Sequence, residues 1–221
     1  MHPLDAPVLA ALTGPHARFA QRRGTALRYP PEVSIWAVFP DDAQGWRDAE
    51  AFGTVSLAGE PRARREGWEA TMRLPGVQLD GSGMAVVPDP GAVVLGPADV
   101  PEMLDLVART RPGPFATRTI EMGTYLGIRE GGALVAMAGE RMRPAGWSEI
   151  SAVCTAPAAR GRGFASRLVR AVGAAIRARG DVPFLHAAAD NVAAVALYEH
   201  LGFTLRRRLE FAEFRRCGSQ G

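Results

Sequence analysis

Apolar residues recur at three- and four-residue steps through Phe164, Ala165, Leu168, Val169, Val172, Ala175 and Ile176, while Arg167, Arg170, Arg177 and Arg179 fall largely on other faces. The spacing predicts an amphipathic helix running to about residue 179 and packed on a sheet. A second helical face, Met103, Leu104, Leu106 and Val107, begins after Pro97-Ala98-Asp99-Val100 and stops before Arg111-Pro112-Gly113-Pro114. Between these helices the pattern predicts strands at about 123–129, 133–143 and 147–155, the first two joined by a turn at Glu130-Gly131-Gly132. A strand at 183–188, a helix at 192–201 and closing strands around 203–214 complete this half.

The first half reads less sharply. A helical start runs through Phe19, followed by a strand at 33–39, a helix at 41–52 and a strand near 54–57. Short extended segments between 68 and 87 are interrupted at Pro75-Gly76 and Gly81-Ser82-Gly83. Pro88-Asp89-Pro90-Gly91 marks a connection, so two domains are expected, 1–92 and 93–221. At 221 residues and 47% hydrophobic, the chain can bury a large core. No fixed-period repeat occurs within either half.

The candidate chemistry starts where the strand ending near Thr155 meets the first helix. Arg160-Gly161-Arg162-Gly163-Phe164-Ala165 is a small-residue turn opening a helix, and such a turn aims unpaired backbone N–H groups and the positive end of the helix dipole at one point. A phosphate suits that point. Gly163 is followed by Phe164 where a Walker A loop needs Lys and Ser or Thr, which disfavours nucleotide hydrolysis. The third glycine of a dinucleotide fingerprint is missing as well.

Arg-x-x-Gly-x-Ala after a strand resembles the GNAT N-acetyltransferase superfamily. A second signature of that family is present in Asn191, Ala194, Leu197, Tyr198, Gly202 and Phe203, and the resemblance covers roughly residues 96 to 214. It implies an α/β fold with a mixed, splayed sheet flanked by helices. The first half, which also alternates helices and strands, is expected to be a smaller α/β unit and a decayed copy of the same fold. The resemblance further implies that Arg160, Gly161, Arg162, Gly163, Phe164, Ala165 and Ser166 hold the pyrophosphate of acetyl-CoA, used as co-substrate. It implies that Val153, Cys154 and Thr155 pair with the pantetheine arm.

Acetyl transfer from a thioester to an amine needs a neutral amine, a polarised carbonyl, a proton acceptor and a proton donor for the thiolate. Glu149 shares a strand face with Ser151, Val153 and Thr155 by period-two alternation. The resemblance implies that Glu149 acts as base through water, ahead of Glu121 and Glu140; otherwise it is a strand-end surface carboxylate. Tyr198 matches the family's acid, against a reading as a core aromatic at helical spacing with Val195 and Leu201. Asn191 is an N-cap, a coenzyme contact, or both. Cys154 reads as a small buried residue rather than an acyl-carrying nucleophile, and His186 and His200 as structural.

Composition narrows the partners. The net charge is +3 and the pI about 9.4, with 26 basic residues, all arginine. No nucleic-acid recognition motif accompanies the charge, so no nucleic-acid partner is expected. The runs Arg206-Arg207-Arg208 and Arg215-Arg216 read as a solvated strand edge. Two cysteines and four histidines show neither disulfide nor metal spacing, so no metal is expected. No apolar run is long enough for a bilayer, so no membrane partner and cytoplasmic residence are expected. The acceptor is a small-molecule amine or a peptide amine, met by Arg109 to Thr119, with Pro112, Gly113, Pro114 and Phe115 as one wall, and by elements of the first half, which also supports the active half; a homodimer is left open. The alternatives are a catalytically silent acyl-CoA-binding regulator, transfer of a larger acyl group, acylation of a protein N-terminus, and a nucleic-acid-binding module.

Overall fold

A computed structural model describes residues 2–218. In chain order the elements are α1 (Pro7–Leu12), β1 (Gln21–Arg23), β2 (Ala26–Arg28), β3 (Ala37–Val38), α2 (Ala43–Ala49), β4 (Thr54–Gly59), β5 (Trp68–Asp80), β6 (Val93–Leu95), α3 (Val100–Thr110), β7 (Tyr125–Glu130), β8 (Ala133–Glu140), β9 (Trp147–Thr155), α4 (Phe164–Ala178), β10 (Val182–Ala188), α5 (Val192–His200) and β11 (Thr204–Arg216). None of the described helices is long and apolar enough to cross a membrane.

Eight strands form one mixed sheet in the order β4-β11-β5-β10-β9-β8-β7-β6. Only β9 and β10 are parallel among these neighbours, joined through α4. The sheet crosses the boundary expected at residue 92, because β5 lies between β10 and β11, and β4 borders β11. Residues 1–92 therefore form no sheet repeating the layout of the second half; their own sheet is β1-β2-β3, three strands of two or three residues.

β5 runs unbroken through Pro75-Gly76, where two shorter segments were expected. Proline is tolerated because Pro75 lies just past the last β10 pair, at Gly76, where its carbonyl accepts from the Ala189 N–H at 2.8 Å and no N–H is required of it. Gly76 is needed for packing: a Cβ there would stand 2.5 Å from the Phe211 ring. The expected strand at 33–39 shrinks to β3, with Trp36 held by an isolated bridge to Ser56.

The two faces of the sheet bury different halves of the molecule. Leu185 on β10 joins Met103, Leu106, Leu168, Val172 and Ile176 beneath α3 and α4. Its neighbour Phe184 points the other way, into Leu4, Val8, Leu12 and Phe19 of the N-terminal segment. Part of the arginine runs is tied to neighbouring segments, with Arg206 bonding Asp5 and Gln78, Arg207 bonding Glu60 and Arg216 bonding Glu50, while Arg208 and Arg215 are exposed. They do not form a free edge, since β11 is an interior strand.

Candidate functional site

β9 and β10 pair only over Trp147–Glu149 and Val182–Phe184, and beyond those residues they diverge. The splay leaves the β10-facing backbone groups of residues 150–155 without a strand partner. A cavity of about 500 Å³ occupies the gap. Two non-glycine residues in the described chain have left-handed backbone, Ala152 at φ 53° and Arg111 at φ 50°, and both line this cavity. At Ala152 the register with β8 slips, Ser151 facing Gly139 and Cys154 facing Met137. The bulge interrupts period-two alternation and turns the strand's polar groups outward there.

One end of the cavity opens on the glycine turn. Gly161 (φ 76°) and Gly163 (φ 75°) are left-handed, and a Cβ on either would meet nothing within 4 Å, so the turn is open to a ligand. Gly163 caps α4, whose first N–H groups have no intrahelical acceptor. The guanidinium of Arg162 is committed to Glu130 at 2.6 Å and stacks on Phe164, so this residue offers its backbone rather than its charge. Phe164 is buried in the core; Arg160 and Ala165 line the cavity mouth, while Gly161, Gly163 and Ser166 do not reach its wall.

The middle is lined by Val153, Cys154, Thr155, Asn191, Ala194 and Tyr198. Asn191 caps α5 by accepting from the Ala194 N–H at 3.2 Å, so its capping reading and its place on the cavity hold together. Burial pushes the Tyr198 hydroxyl up to about 12, so it keeps its proton at neutral pH. Burial likewise pushes the Cys154 thiol up to about 11, the opposite of an activated nucleophile.

At the far end, elements of the first half were expected without residues being named, and Arg141 and Trp36 were not foreseen from the sequence. Arg141, at the end of the β8–β9 hairpin, reaches back to Glu149 with two charge-assisted bonds, Nε to Oε2 at 2.8 Å and Nη2 to Oε1 at 2.6 Å. Its guanidinium lies 5.5 Å from the centre of the Trp36 ring, which packs on Phe211 at 5.6 Å. His186 holds Glu149 Oε1 at 2.7 Å and meets Gln78 Nε2 at 3.0 Å. Because the Gln78 oxygen accepts from Arg206, its amide nitrogen donates to His186 Nε2, which places the histidine proton on Nδ1, toward Glu149.

Glu149 is thus not at the cavity wall. Its side chain is fully buried, and although burial opposes ionisation, Arg141 and the bonds from Arg141 and His186 hold its carboxyl down at about 2. Ser151, Val153 and Thr155 reach the cavity; Glu149, expected beside them, stands behind its wall, with its carboxylate covered by Arg141 and His186, which line it. A carboxylate this weakly basic and this enclosed is poorly placed to take a proton from an amine, which runs against the base role expected of it. The rivals fare no better: Glu121 bonds Arg118 at 2.7 Å on the surface, and Glu140 is buried against Arg179. Of the expected acceptor wall, Thr110 to Pro114 line the cavity; Phe115 packs on Tyr125 at 5.4 Å.

Comparison with known proteins agrees with this geometry. Residues 125–212 match the model of the FR47-like protein family. A curated relative, the N-alpha-acetyltransferase RimI of Mycobacterium tuberculosis, is 42% identical over 90 residues, which span 38% of this chain and 56% of that relative's length. A solved GNAT-family protein from Novosphingobium aromaticivorans is 38% identical and superposes with a TM-score of 0.91, covering 98% of this chain and 99% of the other. A GCN5-related N-acetyltransferase from Kribbella flavida shares the fold at 16% identity and TM-score 0.65, over 97% and 96% of the two chains. The splayed strands, the glycine turn and full-length similarity to a solved member agree, and the chain belongs to the GNAT acetyltransferase family.

Proposed function

We propose that the protein moves an acetyl group from acetyl-CoA to a primary amine by direct attack. The observation that carries this reading is the splay: a strand edge at 150–155 left unpaired, continuous at one end with an open helix N-terminus and at the other with a chamber walled by Trp36, Leu74, Arg141 and Phe211. Backbone N–H groups of residues 162–166 suit a pyrophosphate, with Arg160 beside them. The free edge of Val153 to Thr155 suits the amides of the pantetheine arm and supplies an N–H for the thioester oxygen as charge grows on it. Tyr198 gives its proton to the departing sulfur.

The amine's own proton leaves through water, since none of the cavity's lining residues is acidic. Proximity does the rest: holding amine and thioester together removes much of the entropic barrier. The alpha-amine named in the curated relative's description supports an α-amino group as acceptor. Thermal unfolding with ligand tests the reading. CoA or acetyl-CoA is expected to raise the melting temperature, and NAD or ATP with magnesium is not. Stabilisation by NAD in place of CoA removes its basis, and CoA binding with no turnover on any amine favours a silent acyl-CoA-binding regulator.

A further inference from the structure

The acceptor end of the cavity is rich in hydrogen-bond donors and poor in acceptors. Arg111 and Arg141 line the cavity away from the coenzyme mouth, where Arg160 lies, and no Asp or Glu lines any part of it. A polyamine, an aminoglycoside or another polycation would lose its hydration there and gain no counter-charge. Arginine carries five N–H donors. Two of those on Arg141 go to Glu149, and the other three have no acceptor among the described residues. Trp36, 3% exposed, lines the same end, and its indole N–H also has no partner.

A buried donor without an acceptor, such as the Trp36 N–H, is rare in folded proteins, and beside it the spare guanidinium edge of Arg141 lines the cavity; together they call for a ligand that supplies oxygens. A single carbonyl offers two lone pairs, too few for this set; a carboxylate offers about four. The remaining wall, Ile35, Met72, Leu74 and Phe211, is apolar. It suits one hydrocarbon side chain. Resting on the acetyltransferase reading above, we propose that the acceptor is a free apolar α-amino acid whose carboxylate is received by Arg141 and the Trp36 N–H, with its amine turned toward the thioester. Glu149 and His186 then serve as positioning residues: they fix the plane of the guanidinium so that its unused edge faces the ligand.

The test measures steady-state thiol release at saturating acetyl-CoA with leucine, leucinamide, isoamylamine, a leucyl peptide amide and spermidine. Leucine is expected to exceed leucinamide and isoamylamine in kcat/KM, the missing charged contact costing roughly tenfold or more. Trp36→Phe, which keeps the ring and removes the N–H, is expected to raise the KM for leucine by a similar roughly tenfold factor while CoA still raises the melting temperature. The paired change Arg141→Met with Glu149→Gln, which removes both buried charges at once, is expected to erase the preference for leucine over isoamylamine.

The proposal is overturned if leucinamide, the peptide amide or spermidine is turned over as well as leucine. It is overturned equally if Trp36→Phe leaves the leucine KM unchanged. A protein that binds CoA, acetylates none of these amines and gains no further thermal stability from leucine also overturns it. Failure of the acetyltransferase reading looks different: no stabilisation by CoA at all.

Discussion

Tyr198 and Glu149 are both buried ionisable groups, and their surroundings push them toward opposite duties. The tyrosine loses solvation and gains no positive neighbour, so it remains a neutral acid. The glutamate loses more solvation and gains a guanidinium, so it stays charged and engaged. Tyr198→Phe is therefore expected to lower kcat by roughly 10²- to 10⁴-fold with acetyl-CoA affinity nearly intact. In the wild type the alkaline limb of the pH–rate profile should be absent until pH approaches about 12, where the phenol ionises. The acidic limb should follow the acceptor amine and not a carboxylate: near pH 8 for a peptide α-amine, and higher for the free amino acid proposed above, whose own carboxylate favours the ammonium form. Glu149→Gln leaves Arg141 buried without a counter-charge and is expected to destabilise the fold by about 3–5 kcal/mol, read as a lower urea midpoint. A stable Glu149→Gln enzyme with a displaced acidic limb would restore the glutamate as base.

Helix α4 carries left-handed glycines at both its ends, and only one end faces the cavity. Gly163 caps the N-terminus at φ 75°, and Gly180 follows the C-terminus at φ 84°, each with open space where a Cβ would go. Alanine at either position should cost a similar amount of stability, about 1 kcal/mol, because the strain lies in the backbone. Gly163→Ala should also weaken acetyl-CoA binding in calorimetric titration, while Gly180→Ala should leave it unchanged. Equal affinities would mean the turn does not hold the coenzyme. This helix and its turn were legible in the sequence because their signals are local: a 3.6-residue period and two glycines at fixed offsets. The acceptor end was not, because Trp36, Leu74, Arg141 and Phe211 lie on four segments that meet only through strand pairing. One local clue existed in the opposite charges of Arg141 and Glu149 across a tight hairpin. Pro75-Gly76 misled in the other direction, since a turn signal carries no information about which edge of a strand is free.

Across the whole molecule, the joint between the first residues and the family core has its own pH response. His16, 2% exposed, spans it, with Nε2 3.2 Å from the Met122 carbonyl and Nδ1 3.1 Å from the Tyr29 hydroxyl. Burial pulls its pKa from 6.5 down to about 4. The unfolded chain thus binds a proton that the folded chain refuses between those values. Stability from the neutral ring is fully present above pH 6.5 and lost as pH falls toward 4, on the order of 3 kcal/mol in all. His16→Gln should flatten denaturant-derived stability across that window, and an unchanged slope would locate the response elsewhere. The contribution of Glu149 belongs to more acid conditions, since its stabilisation is lost only below 4.5, toward pH 2.

The placement of β5 also constrains how the chain comes together in time. This strand ends at Asp80, yet the strands on either side of it begin at Val182 and Thr204. During synthesis β5 emerges long before either partner, and its apolar residues have no lasting neighbour until nearly the whole chain has been made. Pairings this distant in sequence slow folding, because loop-closure entropy must be met before the contacts form. An unpaired strand is meanwhile open to other chains. The protein is expected to acquire its acceptor chamber last, and in one step with the closure of its sheet.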